Sequence, residues 1–337
     1  MIWKRVRDLK NAGVLGVNAR NATYVLPHNA RHLQAAVNCK LTTKRLAQEA
    51  SIKVPELFGV ISANGQVRKL REILDGRQSF AIKPAQGSGG DGILVITGQV
   101  NGYWRMAGGR MLSTADLQFH VSNILSGMYS LGGQPDTAFI EDCVDVDPVF
   151  AEIAWGGVPD IRMLVYRGVP TMAMARLPTA ASGGKANLHK GGLGAGVDIS
   201  SGVTTTAVCN DHAVQAHPDT GQDIAGVAVP HWEEMLHMAS RTQEITQLDY
   251  LGVDMVLDRR QGPLLLELNA RPGLAIQIAN DVGQRHRLEA IDQAIDDLPD
   301  VATRVAFAQD RLGSGARPPE PEEWTAPVGR LGLMAAK

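Results

Sequence analysis

Asp254, Glu267 and Asn269 are the residues whose types and spacing point most directly to chemistry. Asp254 sits in Val253-Asp254-Met255-Val256-Leu257-Asp258, and the other two in Leu264-Leu265-Leu266-Glu267-Leu268-Asn269. Both runs read as strands around the turn Arg259-Arg260-Gln261-Gly262. Side chains alternate along a strand, so Glu267 and Asn269 share a face. Their neighbours are apolar, and acids left unpaired in such surroundings are costly. A hard cation such as magnesium supplies a partner, because it prefers oxygen ligands and often bridges carboxylate and phosphate. A carboxylate between two ions also helps to neutralise a phosphoryl group in transfer. The competing reading is a hydrogen-bonded polar edge facing water. Asp258, beside Arg259 at the turn, is expected to cap or pair locally.

The second signal is Lys83-Pro84-Ala85-Gln86-Gly87-Ser88-Gly89-Gly90-Asp91-Gly92. Glycines let backbone N–H groups approach a phosphate closely, and Lys83 ends the preceding strand with an ammonium to lay over phosphate oxygens. The spacing fits neither a Walker A loop nor a dinucleotide fingerprint. A tight turn alone would also use these glycines. Arg162, Arg176 and Arg271 are candidates for gripping anions, through paired hydrogen bonds to a carboxylate or by stabilising charge at a tetrahedral centre; surface ion pairs are the bland alternative. His189, in Asn187-Leu188-His189-Lys190-Gly191-Gly192, reads as an ordinary loop histidine ahead of a catalytic one. No nucleophile motif and no trusted zinc spacing competes.

The elements that must position these groups are mixed. Helices are expected over 1–12, 41–51, 115–130, 231–250 and 285–298. Strands are expected at 60–62, 80–84, 92–96 and 138–142, and at 161–166 and 171–176, which flank Arg167-Gly168-Val169-Pro170 as a hairpin. Residues 178–196 are glycine-rich and polar. Residues 201–228 fit no periodic template and read as a mobile insertion, with a lid over the acceptor side as one role. Antiparallel hairpins among helices argue α+β rather than a doubly wound parallel sheet.

Composition sets outer limits. The 337 residues are 44% hydrophobic and 20% charged, with a net charge of −2. That balance gives no reason to expect a nucleic-acid partner. Lys4, Arg5, Arg7, Lys10 and Arg20 against Asp8 read as a solvated basic helix face. Cys39, Cys143 and Cys209 are dispersed, which fits a reducing compartment. With neither an apolar leader nor a membrane-length apolar run in the sequence, the expectation is a cytoplasmic protein without a transmembrane segment.

In order, the same residues resemble the ATP-grasp superfamily, and within it the ribosomal-protein glutamate ligase and related α-L-glutamate ligase-like proteins. The series is Lys40-Leu41 with its helix and Val54-Pro55, the 83–92 loop, Glu141-Asp142, Asp160-Ile161-Arg162, Asn187-Leu188-His189-Lys190-Gly191-Gly192, Gly252-Val253-Asp254 and Glu267-Leu268-Asn269-Ala270-Arg271-Pro272-Gly273. It runs over about residues 35–285, and its joint order is the specific part.

The resemblance implies an ATP-grasp fold, with the nucleotide held between two α+β lobes, and an ATP-dependent carboxylate–amine ligase. A carboxylate is phosphorylated, an amine attacks the acyl phosphate, and phosphate leaves. Lys40 and Lys83 are implied as phosphate lysines, with Gly87, Ser88, Gly89 and Gly90 in the cofactor loop. Glu141, Asp142 and Val144 are implied near adenine, and Asp160 on the ribose side. Arg162, Arg176, Asn187 and Arg271 are implied on the catalytic or substrate side. Asp254, Glu267 and Asn269 are implied as ligands for two Mg2+ ions, with Mn2+ as a substitute. The partners implied are an amino acid, glutamate among them, or another amine, and a carboxylate on a peptide, protein or metabolite; oligomerisation is left open. A small-molecule kinase and a non-catalytic nucleotide-binding regulator are the alternatives.

The expected organisation is a short basic segment (1–36) in place of a full N-terminal domain, a first lobe with the phosphate loop (37–142), a second lobe with the metal hairpin and the 201–228 insertion (143–300), and a loosely ordered tail (301–337). The stretch 143–159 and the segment 201–228 depart from the pattern. So does Arg271, where relatives often carry a smaller residue.

Overall fold

The computed structural model describes residues 2–87 and 89–313. Ser88, and the part of the expected tail beyond 313, lie outside the described residues. The chain builds two antiparallel sheets with helices around them, so the α+β expectation holds. The smaller sheet uses β1 (Leu57–Ile61), β2 (Phe80–Pro84), β3 (Leu94–Val100), β4 (Tyr103–Met106), β5 (Met111–Leu112) and β6 (Ala138–Glu141), in the order β1-β6-β2-β3-β4-β5. The larger uses β7 (Asp160–Tyr166), β8 (Val169–Leu177), β9 (Leu193–Val197), β10 (Thr204–Cys209), β11 (His212–Val214), β12 (Tyr250–Asp258) and β13 (Gly262–Asn269), in the order β11-β10-β9-β8-β7-β12-β13.

Each sheet has its own core. Phe80, Ile82, Ile96 and Ile140 pack under the helix Thr114–Leu125 through Leu117, Val121 and Ile124. That helix starts at a reciprocal cap, with Ser113 and Asp116 satisfying each other's backbone N–H groups. β7 and β12 are buried along their whole length. Both of their faces are therefore covered, which is why they read as near-continuous apolar runs broken by Asp160, Arg162 and Asp254, with Asp258 at the end of β12.

Three expectations need correction. The helix Lys40–Glu49, assigned to the first lobe, sends Ala47 into the core of the larger sheet. Periodicity shows which face of a helix is apolar but not which core receives it. The 201–228 segment is no free insertion. It forms β10 and β11, and Ile224 and His217 are fully buried behind them. The chain from 301 begins as a helix, Val301–Arg311, capped reciprocally by Asp300 and Thr303, with Val305 and Ala308 buried. Among the described residues, no helix is long and apolar enough to cross a membrane.

Candidate active site

The hairpins of the larger sheet set the first half of the site. Asp160 lies opposite Arg176, Arg162 opposite Asp254, and Asp254 opposite Glu267. Directly paired residues point the same way, so all five project from one face. Arg162 grips Asp254 with both arms, Nη2 at 2.6 Å from Oδ2 and Nε on Oδ1. Arg176 donates to Asp160 at 2.5 and 2.8 Å, and its Nη2 also lies 2.8 Å from Asp254 Oδ2. These are buried pairs, not the surface pairs of the bland reading. Burial by itself would raise Asp254, but the two guanidinium groups outweigh it and hold the carboxyl down at about 2. Burial pushes Asp160 up to about 6, with the Asp254 charge adding to it and Arg176 opposing.

Glu267 and Asn269 stand at the more open edge of this face. The Asn269 amide nitrogen is 3.4 Å from both Asp254 Oδ2 and Glu267 Oε1, so the expected trio is brought together. Asp258 does not join it. It accepts the N–H groups of Arg260, Gln261 and Asp145 at 2.9–3.0 Å, which is the local capping role expected at the turn.

The second half comes from the smaller sheet and the bridging helix. Glu141 lies opposite Ala81 and Lys83 opposite Phe139, which puts Lys83 and Glu141 on one face as a diagonal pair. Lys83 pairs with Glu141, and Lys44 joins the same carboxylate at 2.8 Å. Burial would raise Glu141, yet the two ammonium groups win and hold it below the usual carboxylate range. Burial lowers Lys44, with Glu141 opposing. Lys44 was not among the expected site residues. Its signal was its position one helical turn after Lys40, on the same helix face. Glu141 closes β6, with Asp142 tied to Glu56 through its backbone and Val144 half-buried just beyond.

Lys40 joins the halves. Its ammonium lies 3.2 Å from Glu267 and donates to the carbonyl oxygen of Gly87 in the glycine loop, while its backbone N–H reaches Ala85. Gly89 and Gly90 both have positive φ, +62° and +75°, a pairing that side chains with a Cβ adopt at a cost. Asp136, 5% exposed, fixes the loop's root by accepting the Gln86 N–H. Across the gap, Asn187 donates to the Gly89 carbonyl at 3.4 Å, and Lys185 and Lys190 meet Asp91. His189 and Arg271 are exposed, and among the described residues nothing pairs with Arg271.

The donor set can be tested against ATP and magnesium. Two ammonium groups share Glu141, so this side carries surplus positive charge that suits phosphate. Glu267 is 32% exposed at its side chain and, among the described residues, meets Lys40 and the Asn269 amide directly, so it remains reachable by a cation. Asp254 is different, because guanidinium N–H groups already meet both its oxygens, Oδ2 more heavily than Oδ1. Among the described residues no cluster of three His, Cys, Asp or Glu side chains could hold a metal by itself. Two carboxylates and an amide beside the glycine loop still fit Mg2+, which usually keeps waters and takes one or two carboxylates plus substrate phosphate.

The ATP-grasp ligase PsnB, solved with a minimal precursor, is similar in fold at 14% identity and a TM-score of 0.41, over 80% of this chain and 63% of that one. D-alanyl-alanine synthetase A from Vibrio cholerae O1 biovar eltor str. N16961 is similar at 11% identity and a TM-score of 0.47, over 82% of this chain and 67% of that one. D-cycloserine synthetase DcsG is similar at 12% identity and a TM-score of 0.41, over 78% and 70%. The chain thus spans less than two thirds of the PsnB chain. No curated protein matches it. A family model described as sugar-transfer associated ATP-grasp matches residues 19–293, most of the chain, and the protein belongs to that family.

Proposed function

We propose that the chain is a magnesium- and ATP-dependent carboxylate–amine ligase, working through an acyl phosphate. The observation that carries this reading is the Lys40 bridge. One ammonium links the glycine loop, through the Gly87 carbonyl, to Glu267 of the carboxylate trio, so the loop and the trio adjoin each other.

In this reading Lys40 and Lys83 hold phosphate oxygens, and the Gly89–Gly90 backbone lies against them. Ser88 is assigned to the same loop by sequence alone. Glu141 sets the position of Lys83, and the backbone around Asp142 and Val144 meets the adenine. Asp160 orients Arg176. Glu267, Asn269 and Asp254 would hold magnesium, as one or two ions, which when bound would supply positive charge against the transferring phosphoryl group. Arg162 and Arg176 are held by Asp254 until substrate is present; a guanidinium released from it can stabilise charge developing at the carboxyl carbon. Asn187 reaches the loop from the acceptor side. Arg271, exposed and unpaired among the described residues, is the cation for a substrate carboxylate.

The acceptor is a carboxylate on a peptide, protein or metabolite. The family's association with sugar transfer adds sugar-bearing metabolites to the candidates. The amine is an amino acid, and the likeness to glutamate ligases makes glutamate the first to try. The test is an ATP-dependent screen of amino acids against cell extract, read by phosphate release and mass spectrometry. A product heavier by one amino-acid residue is expected. A stable phosphorylated product, with no new amide from any amine, would replace the ligase by a kinase.

A further inference from the structure

We propose that Arg20 and Asn29, from the N-terminal segment, are positioning residues for the magnesium side of this site. They hold the turn that follows β13 against the face carrying Asn269 and Arg162. The inference rests on the reading above, and in particular on its magnesium ligands.

Asn29 decides where β13 ends. Gly252 lies opposite Asn269, so the same register would set Arg271 opposite Tyr250. The Asn29 side chain takes that rung instead. Its amide oxygen accepts the Tyr250 N–H at 2.9 Å, and its nitrogen donates to the Tyr250 carbonyl at 2.7 Å and the Ala270 carbonyl at 3.1 Å. Backbone groups that burial would leave costly without partners are thereby satisfied. The chain leaves the sheet at Ala270, one residue after Asn269. Arg20 takes a further carbonyl on that path, donating from Nη1 to Pro272. Both side chains are buried, Asn29 at 2% exposure and Arg20 at 6%.

The turn they hold touches the site in space. Gly252 shares a face of β12 with Asp254, two residues on. A Cβ at Gly252 would come within 2.6 Å of the Pro272 Cβ and 3.5 Å of the Arg162 Cδ. The Pro272 ring therefore packs over Gly252, beside the stem of the arginine that grips Asp254. The segment that supplies Arg20 and Asn29 is itself fixed. Tyr24 and Val25 lie in the core of the larger sheet, and the Gln277 side chain exchanges hydrogen bonds with both backbone groups of Leu15, at 2.8 and 3.0 Å. Releasing the turn would move Asn269, whose amide lies 3.4 Å from Asp254 and from Glu267. Lys83 and Glu141 stand on the other sheet, so the phosphate side would keep its geometry.

The test is calorimetric titration of the full chain with a non-hydrolysable ATP analogue over a series of magnesium concentrations. Groups that orient a metal ligand are typically worth about 10–100-fold in metal affinity. Arg20→Met should raise the magnesium needed for half of its effect about tenfold, with affinity in magnesium-free buffer within about twofold of wild type. Arg20→Lys, which keeps a donor, should recover most of the loss. Gly252→Ala pushes on Pro272 without touching the N-terminal segment. It should behave like Arg20→Met, and it decides alone if Arg20→Met does not fold. A packing role only would lower both affinities together. That result, or an unchanged magnesium requirement in the folded variants, overturns the inference and leaves the reading above standing. Wild-type binding that ignores magnesium would remove the magnesium ligands from that reading, and this inference with them.

Discussion

Two buried ionic clusters face each other across this site, and they are built differently. The Lys44–Lys83–Glu141 cluster sets two cations against one acid. The Arg162–Arg176–Asp160–Asp254 cluster balances two against two, with Asp254 shared by both arginines. The first has charge to spare and suits an incoming anion. The second is balanced internally, and Glu267 and Asn269 are the expected site residues left at the more open edge of its sheet. The surplus charge of the first cluster and the balance of the second predict different responses to the loss of one partner.

Glu141→Ala should show the largest effect. It strands two buried ammonium groups, and breaking a buried pair by removing one partner costs about 3–5 kcal/mol. Chemical denaturation should report that loss. A change below about 1 kcal/mol would mean that solvent reaches the lysines and that the contrast between the clusters is false.

Glu267→Gln comes next. It keeps the shape and removes the charge that draws a cation. Turnover should fall on the order of 10²–10³-fold, as when one preorganised electrostatic group is removed from a transition state. Nucleotide affinity should fall much less, because that charge acts mainly during transfer. Unchanged turnover would take Glu267 out of the site.

Acid should separate wild type from Glu141→Gln. The folded protein holds Glu141 below its ordinary value of 4.5. Its contribution is therefore fully present above that value and is lost as pH falls through the lower folded one. The steepening of stability loss below pH 4.5 should be flatter in the variant. Parallel profiles would show that Glu141 carries no such linkage.

Asp91→Ala should do least. Asp91 is exposed where it meets Lys185 and Lys190, and such pairs contribute about 0–1 kcal/mol. A larger loss would make the contact between the glycine loop and the 185–190 loop a structural strut.

Much of this was readable in the chain. The hairpins around Arg167-Gly168 and Arg259–Gly262 stood out because apolar runs flank turn residues, and β7, β8, β12 and β13 formed there. Alternation put Glu267 and Asn269 on one face, but Asp254 came opposite Glu267 only through a bulge in the strand at Leu266, which no local pattern announced. Less visible was the pairing of Arg162 with Asp254, because they lie far apart in sequence and only sheet order makes β7 and β12 neighbours. β10 hid behind its polar threonines. Its one local sign was Asn210-Asp211, a two-residue turn with both φ positive. The helix from 301 hid behind the prolines that follow it, although Asp300 and Thr303 stand at cap spacing.

The most direct test of the account is calorimetric titration of the full chain with a non-hydrolysable ATP analogue, with and without magnesium, in wild type and Lys83→Ala. Binding should be saturable, strengthen with magnesium and weaken in Lys83→Ala. No heat and no thermal shift at millimolar nucleotide, with or without magnesium, would contradict it.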